Sequence, residues 1–284
     1  MKIVLGGGIA GLIIANNKKD SIIIEQQPRL GGIFAFDKIL DLKIPFHPPL
    51  LDSQFDYFEL KKINLRIFSK KEKFILNKLK VQEMPKWLSF KEQMYYATDL
   101  LEKIEYLSKN VRILHSTVKK IIKDKIITNN GILKADEIYS TISRKYIQEL
   151  FGLKSELKSI SFVELIAVVP KRERPWDIYI NGDNGVSFSH IINAYWISEQ
   201  YDVLYVLVPF ATSPPIWDKI YSDLKREQIL TMDEIIGFRS RIIKDGILIG
   251  EEDEEYIEDI KMCGRLGKWK NFTLIETILD SLRC

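Results

Sequence analysis

Cysteine and histidine are scarce in this chain of 284 residues, which contains two of the first and three of the second. The two cysteines, Cys263 and Cys284, cannot build a disulfide framework, and they do not have the paired spacing of a zinc site. We therefore expect no metal centre and two reduced thiols, as in a cytoplasmic protein. Cys263 closes an apolar segment and is expected to be a small core residue.

Long apolar runs and a strong excess of one charge are also missing. Runs such as Val203 to Val208 are far too short to span a bilayer, so no transmembrane segment is expected. The first strand begins at Lys2, which argues against a signal peptide and for a cytoplasmic location. With 42 basic and 39 acidic residues, the net charge of +3 gives no support for nucleic-acid binding. A small-molecule substrate is expected, and the oligomeric state stays open.

The start of the chain has the pattern of a nucleotide-binding turn. An apolar strand from Lys2 to Leu5 leads into Gly6-x-Gly8-x-x-Gly11 and then into a helix. Glycines leave the backbone N–H groups and the positive helix end free to approach a diphosphate. The alternative is a glycine turn in an ordinary α/β protein that binds no ligand.

The next predicted strand, Ser21 to Glu25, ends on a carboxylate. Glu25 follows Gly6 by about 20 residues, the interval at which an acidic residue binds a ribose 2′-hydroxyl. The cofactor-binding residues predicted in these two segments are Gly6, Gly8, Ile9, Ala10, Gly11, Glu25 and Gln26.

Two later segments extend this pattern. The pair Gly31-Gly32 follows Glu25, and Gly264-Arg265-Leu266-Gly267-Lys268-Trp269 precedes a helix at the other end of the chain. Together with the first turn, they resemble the fingerprint of the flavoprotein group that contains the amine oxidases, protoporphyrinogen oxidase, the phytoene desaturases and UDP-galactopyranose mutase. The resemblance covers the two ends of the chain well and the middle loosely, and it implies FAD as the cofactor.

The resemblance also implies where the flavin would lie. Gly31 and Gly32 would let the backbone approach the flavin half of the cofactor. Gly264 would lie in the returning turn, and a helix beginning near Thr273 and Leu274 would place its N-terminus beside the pyrimidine edge of the ring. A reduced flavin gathers negative charge at that edge, which a helix dipole stabilises.

Three more cofactor contacts follow from the same resemblance. Arg265 would donate hydrogen bonds to the diphosphate, and Arg29 could reach the same charge. The backbone at Val118 would contact the adenine, with a simply packed strand residue as the alternative.

Side chains with a catalytic role are few, because a flavin supplies its own redox chemistry. His47 lies in a proline-rich loop similar to the mutase loop in which a histidine lies against the flavin; the alternative is a loop histidine between prolines. Trp269 would pack near the flavin or wall the cavity, or else fill the core. His190 either faces the substrate cavity or occupies a half-buried strand position.

The chain also departs from the family pattern. Only Leu12 to Asp20 connects the first two strands, so the first helix is short by one turn. Ile33 stands where family members usually carry a basic residue after the glycine pair. The chain is shorter than most relatives, which leaves the substrate open.

The predicted fold is α/β: a discontinuous Rossmann-like FAD-binding domain with an inserted α+β substrate or cap domain that contains an antiparallel sheet. The FAD-binding domain takes residues 1–44, 108–145 and 255–284, and the cap takes 45–107 and 146–254. A helix is predicted from Ser89, where Glu92 completes a capping box, and another from Thr231, where Glu234 does the same. A hairpin is predicted around residues 129–131, and antiparallel strands between 162 and 210.

Three functions are compatible with these motifs. The first is an FAD-dependent, amine oxidase-like oxidoreductase in which a small organic substrate gives a hydride to flavin N5. The second is a non-redox enzyme like UDP-galactopyranose mutase, in which reduced flavin attacks a nucleotide sugar. The third is a flavin-binding protein without catalytic activity. The sequence leaves the substrate and the electron acceptor open.

Overall fold

The computed structural model describes all 284 residues and contains 20 β-strands and seven α-helices. The strands are β1 Lys2–Leu5, β2 Ser21–Glu25, β3 Phe36–Ile39, β4 Leu42–Pro45, β5 Leu50–Leu51, β6 Leu60–Asn64, β7 Ile67–Lys70, β8 Gln93–Ala97, β9 Arg112–His115, β10 Val118–Ile122, β11 Lys125–Thr128, β12 Gly131–Lys134, β13 Glu137–Ser140, β14 Lys158–Pro170, β15 Ile178–Asn181, β16 His190–Asn193, β17 Tyr201–Phe210, β18 Gly237–Ile249, β19 Tyr256–Ile257 and β20 Ile260–Met262. The helices are α1 Ile9–Asn17, α2 Ile75–Leu79, α3 Leu100–Lys109, α4 Arg144–Leu150, α5 Trp217–Arg226, α6 Gly264–Gly267 and α7 Leu274–Arg283.

A mainly parallel sheet has the strand order β19-β20-β13-β1-β2-β9. β1 pairs in parallel with both β2 and β13, so β1, α1 and β2 form a βαβ unit. The side chains of α1 are buried from Ile9 to Ala15, because α1 contacts strands β1 and β2 as well as α3 and α7. The predicted α/β class with a parallel sheet is confirmed.

A second sheet has the order β18-β14-β17-β16-β15-β7, with all pairs antiparallel except β15 with β7. Val163 and Leu165 on one face belong to a core cluster that includes Ile220 of α5. Alternate residues such as Ile166 point to the other face and pack against the segment that contains β4 and β6. The predicted antiparallel strands are confirmed, and so is the hairpin, in which Thr128 pairs with Gly131.

The helix predicted from Ser89 is wrong. Ser89 follows a 3₁₀ turn, Lys86–Leu88, and residues 93–97 form β8, which pairs with β5 and β6. The apolar spacing of Met94 and Ala97 fits a helix, but pairing with two strands overrides this local pattern. The helix of this region, α3, begins only at Leu100.

The helix predicted from Thr231 is also wrong in extent. Thr231 and Glu234 do form the predicted capping box, but they cap a single 3₁₀ turn, Met232–Glu234. The chain then enters β18, which pairs with β14 along its length. A capping box marks the start of a helical turn, whereas the partner strand determines how far the turn continues.

The expectation of two free thiols is overturned as well. Cys263 and Cys284 form a disulfide with their Cα atoms 6.1 Å apart, and both residues are buried. The bond connects the residue before α6 to the residue after α7. The pairing could not be read from their separation of 21 residues, because α7 brings them together.

None of the helices has the length and apolar character needed to cross a membrane. No group of three or more His, Cys, Asp or Glu side chains is arranged to hold a metal ion.

Candidate flavin site

The glycine turn after β1 combines one tightly packed glycine with one open glycine. A Cβ at Gly11 would lie 1.9 Å from the carbonyl oxygen of Gly6, so only glycine allows α1 to approach β1 this closely. At Gly8, the N-cap of α1, a Cβ would meet no atom within 4 Å. The backbone N–H groups of Gly8 and Ala10 donate no hydrogen bond within the chain. Free donors beside an open Cα form a suitable cradle for an anion.

Glu25 is held beside this turn. Its Oε2 accepts a hydrogen bond from the Gly7 N–H at 2.7 Å, and its Oε1 accepts one from the Gln27 N–H at 2.7 Å. A carboxylate oxygen can accept more than one hydrogen bond, so Glu25 keeps capacity for a hydroxyl donor. Gln26 lies next to it with its side chain exposed.

The glycine pair closes against the first turn. The N–H of Gly31 donates to the carbonyl of Gly7 at 2.8 Å. Gly31 and Gly32 have φ angles of +102° and +63°, which side-chain-bearing residues rarely adopt. A Cβ at Gly32 would approach the Cα of Gly8 to 3.3 Å, so the two motifs lie in direct contact.

The C-terminal motif returns to the same place. A Cβ at Gly264 would lie 2.8 Å from the Cβ of Ala10, and one at Gly267 would lie 2.4 Å from the carbonyl oxygen of Ser140. The N–H of Cys263 donates to that Ser140 carbonyl at 2.8 Å. The two ends of the chain therefore meet around the start of α1.

Helix α7 begins close to this meeting point. Thr273 is its N-cap and forms a capping box with Glu276. The N–H groups of Leu274 and Ile275 donate no hydrogen bond within the chain, so the positive end of α7 keeps free donors. Helix α7 also packs directly on α1.

A small cavity opens at this end of α7. Its walls come from four stretches of the chain, namely Thr273 to Ile275, Leu50 to Asp52, Lys86 with Trp87, and Met94 of β8. The indole Nε1 of Trp87 is buried without a hydrogen-bond partner. Sequence reasoning missed Trp87, because it lies in a segment with no recognisable motif.

His47 lies between the glycine pair and this cavity. Its ring centroid is 6.5 Å from that of Phe34 and 5.8 Å from that of Trp87. Its Nδ1 is 3.0 Å from Oε1 of Glu164, and its side chain is only 9 % exposed. The histidine is therefore a fixed part of the interior rather than a free loop residue.

Glu164 is a buried charge that sequence reasoning also missed. Its side chain is 0 % exposed, and its Oε2 accepts a hydrogen bond from Nε of Arg241 at 2.8 Å. Burial alone would raise the pKa of Glu164, but the charge of Arg241 and the hydrogen bonds from Arg241 and His47 hold it below its ordinary value. In the sequence, a glutamate within the apolar run 162–169 was the feature that could have indicated a buried, functional charge.

Arg241 contacts both the antiparallel sheet and the segment that follows the glycine pair. It is the cross-strand neighbour of Glu164, because β14 and β18 pair at these two residues. Its Nη2 donates to the carbonyl of Ile33 at 3.4 Å, and its guanidinium lies 4.7 Å from the ring centroid of Phe46. The antiparallel sheet is thereby connected to the residue that follows the glycine pair.

Arg265 does not take the position expected for a diphosphate ligand. Its guanidinium donates to the carbonyls of Asp245, at 3.0 Å, and Gly246, which lie on β18. Burial lowers the pKa of Arg265 to about 10. In this structure the Arg265 side chain connects α6 to β18, and its diphosphate contact stays a prediction.

Trp269 is likewise a core residue in this structure. It is 2 % exposed, packs with Leu157 and Leu248, and donates from Nε1 to the carbonyl of Ile249 at 3.1 Å. The core alternative therefore holds for Trp269, and a catalytic contact is not supported.

Two other predicted contacts have protein partners. Arg29 donates to the carbonyl of Phe36 at 2.7 Å and pairs with Asp37 at 2.9 Å. The carbonyl of Val118 accepts a hydrogen bond from the Tyr146 hydroxyl at 2.6 Å. These contacts leave the free N–H groups at the starts of α1 and α7 as the groups most available to a ligand.

His190 is fully buried rather than half-buried. Its Nδ1 is 3.0 Å from the Ser189 hydroxyl, and its Nε2 has no partner. Burial, together with the charge of Lys78, lowers its pKa to about 3, so the ring is neutral near pH 7.

Comparison with solved structures identifies the fold. A protein from Exiguobacterium sp. 255-15 assigned as a protoporphyrinogen oxidase matches with a TM-score of 0.74 at 12 % identity, covering 99 % of this chain and 97 % of that chain. Reduced UDP-galactopyranose mutase matches with a TM-score of 0.70 at 11 % identity, covering 99 % and 91 %. A geranylgeranyl bacteriochlorophyll reductase-like protein from Thermoplasma acidophilum matches with a TM-score of 0.62 at 12 % identity, covering 99 % and 75 %.

No protein-family profile and no curated protein matches the sequence. At these identities the likeness establishes the fold alone. The chain therefore has the fold that these three proteins share, and the resemblance to protoporphyrinogen oxidase and UDP-galactopyranose mutase is confirmed at that level.

Proposed function

We propose that the chain is an FAD-dependent oxidoreductase that accepts a hydride from a small organic substrate at flavin N5. The observation that carries the proposal is the convergence of Gly8, Gly32 and Gly264 around the start of α1. The names of the structural neighbours, which include an oxidase and a reductase, support redox chemistry.

The donor and acceptor groups present suit FAD, and the cavity beside α7, which measures about 30 Å³, would have to widen to admit the flavin ring. The open Cα of Gly8 and the free N–H groups at the start of α1 suit the diphosphate, and Glu25 suits a ribose hydroxyl. The free N–H groups of Leu274 and Ile275 suit the pyrimidine edge of the flavin. Trp87, whose buried Nε1 has no hydrogen-bond partner, lines the cavity beside them.

The chain's own residues then have three tasks. The two turns and the first turn of α7 would bind and orient the cofactor, which supplies the hydride-accepting chemistry when bound. Trp87 and the aliphatic walls of the cavity would exclude water from the ring. We assign residues 1–44, 108–145 and 255–284 to cofactor binding and residues 45–107 and 146–254 to the cap over the substrate.

The decisive experiment is reconstitution with FAD, using Gly8→Ala as the test variant. The wild type should become yellow and show the visible bands of oxidised flavin. An alanine at Gly8 fits the free protein but projects into the proposed diphosphate position, so FAD affinity should fall by about 100-fold, or ~2.7 kcal/mol.

The control is Gly185→Ala, at a glycine outside the left-handed region where a Cβ would meet only the side chain of Asp183, at 3.3 Å. It should bind FAD like the wild type. A wild type that cannot take up FAD, or equal affinity in Gly8→Ala and the wild type, would refute the proposal.

UDP-galactopyranose mutase chemistry is the second candidate, favoured by the TM-score of 0.70. Its substrate carries a diphosphate, which arginines bind well. Arg241 and Arg265 both have protein partners, so the redox function is preferred. Binding of a uridine diphosphate sugar only after reduction of the flavin would reverse this preference.

A further inference from the structure

The three residues His47, Glu164 and Arg241 form a buried chain of hydrogen bonds and charge beside the candidate flavin site. Nδ1 of His47 lies 3.0 Å from Oε1 of Glu164, and Oε2 of Glu164 accepts from Nε of Arg241 at 2.8 Å. Both carboxylate oxygens are thus engaged, each by a different partner.

The charge of Glu164 determines which histidine nitrogen carries the proton. An ionised carboxylate can only accept hydrogen bonds, so the neutral imidazole must present N–H at Nδ1. Nε2 is then left with its lone pair. Arg241 keeps the carboxylate ionised in spite of complete burial.

The second ring nitrogen of His47 stays available for a hydrogen bond. Nε2 of His47 makes no hydrogen bond in the structure and is not among the polar atoms sealed from solvent. The ring lies edge-on to Trp87, which walls the cavity at the start of α7. An aromatic shell and a carboxylate partner orient the ring, as expected for a proton acceptor.

We propose that Glu164 and Arg241 are positioning residues that hold the proton of His47 on Nδ1, so that Nε2 accepts the hydroxyl proton of an alcohol substrate. This inference rests on the proposed function. Oxidation of an alcohol breaks a C–H bond, whose hydride the bound flavin takes, and an O–H bond, whose proton forms the new N–H bond at Nε2. A neutral amine needs no base when hydride leaves, because its nitrogen lone pair stabilises the product.

The first test measures the tautomer in the FAD-free protein. With only three histidines, ¹⁵N-histidine labelling and long-range ¹H–¹⁵N correlation can be assigned from His47→Gln and His115→Gln variants. At a pH where the ring is neutral, the wild type should show a protonated Nδ1 and an unprotonated Nε2. In Glu164→Gln, the ratio of the two tautomers should shift toward Nε2–H by about tenfold.

The matched control is Asp177→Asn. Asp177 is 3 % exposed and pairs with Arg66 at 2.9 Å beside the same sheet, without contact to His47. It should leave the His47 spectrum unchanged. A wild type with the proton on Nε2 overturns the proposal even if Glu164→Gln does not fold.

The second test uses the FAD-loaded protein and matched pairs of compounds, namely benzyl alcohol with benzylamine, cyclohexanol with cyclohexylamine, and hexan-1-ol with hexylamine. Anaerobic bleaching by the alcohols, slowed by about 100-fold in His47→Gln with unchanged FAD affinity, supports the proposal. Glu164→Gln should slow it by about tenfold. Bleaching by the amines alone, or by neither set, overturns the alcohol assignment.

The two tests separate the possible failures. Failure to bind FAD refutes the proposed function but leaves the tautomer result standing. FAD binding with the proton of His47 on Nε2 refutes the roles of His47, Glu164 and Arg241 and leaves the proposed function standing.

Discussion

The parallel sheet and the antiparallel sheet contribute different kinds of groups to the candidate site. The turns beside the parallel sheet offer backbone N–H groups, made accessible by Gly8 and Gly32. The antiparallel sheet contributes charged side chains, Glu164 and Arg241, which meet because β14 and β18 pair at those residues. The first region therefore depends on where side chains are absent, and the second on which side chains are present.

This difference predicts that glycine substitutions will be most damaging in the first region. Gly11→Ala places a Cβ 1.9 Å from the Gly6 carbonyl, so it should lower the free energy of unfolding by about 4 kcal/mol, measured by urea denaturation. The control in the same turn is Gly8→Ala, which should change the stability by less than ~0.5 kcal/mol. Equal stability of the two variants would contradict the packing argument.

Reduction of the disulfide measures how much the covalent link across α7 contributes to the stability of the first region. Cys263 and Cys284 enclose a loop with a sequence separation of 21 residues, so reduction should cost about 3 kcal/mol of unfolding free energy. Urea denaturation with and without reductant measures this. The double variant Cys263→Ala with Cys284→Ala should not respond to reductant, and an unresponsive wild type would show that the bond is not formed.

A change of the Glu25 side chain, beside the glycine turn, should lower the free energy of unfolding by less than Gly11→Ala or reduction of the disulfide. Glu25→Gln replaces one carboxylate oxygen by an NH₂ group, so one of the Gly7 and Gln27 N–H groups loses its acceptor. This should lower the free energy of unfolding by about 2 kcal/mol and FAD affinity about tenfold. Denaturation and flavin titration measure the two effects. Glu137→Gln, at the amino end of β13 in the same sheet, should leave FAD affinity unchanged. An equal loss in both variants would remove Glu25 from the site.

His190, on β16, makes the stability of the antiparallel sheet sensitive to pH. Its pKa of about 3 in the folded protein lies below the ordinary value of 6.5, because burial disfavours the charged ring. The stabilisation is therefore complete above pH 6.5 and is lost as the pH falls toward 3, since the unfolded chain binds the proton first.

One pH unit below 6.5, the loss attributable to His190 should be about 1.4 kcal/mol. His190→Gln should lack this part of the acid sensitivity, as judged from urea denaturation at pH 5.5 and pH 7.5. Parallel pH dependence in wild type and variant would show that the ring is not buried in its neutral form.

Much of the first region was predictable because its constraints are local. A glycine is required where a Cβ would collide with backbone, as at Gly11, and is strongly favoured where φ is near +100°, as at Gly31. Such requirements leave a fixed spacing in the sequence. Arg265 shows the limit of that argument, because its position in a motif did not determine which carbonyls its guanidinium would contact.

The sequence by itself determined the strand–turn–helix at the start of the chain, the capped helix at its end and the antiparallel strands between them, because each depends on near neighbours along the chain. Only the tertiary structure decided that residues 93–97 would be a strand, that the two cysteines would pair, and that Glu164 would meet both His47 and Arg241. Those outcomes depend on residues 21 to 117 positions apart, whose encounter is set by sheet pairing and core packing.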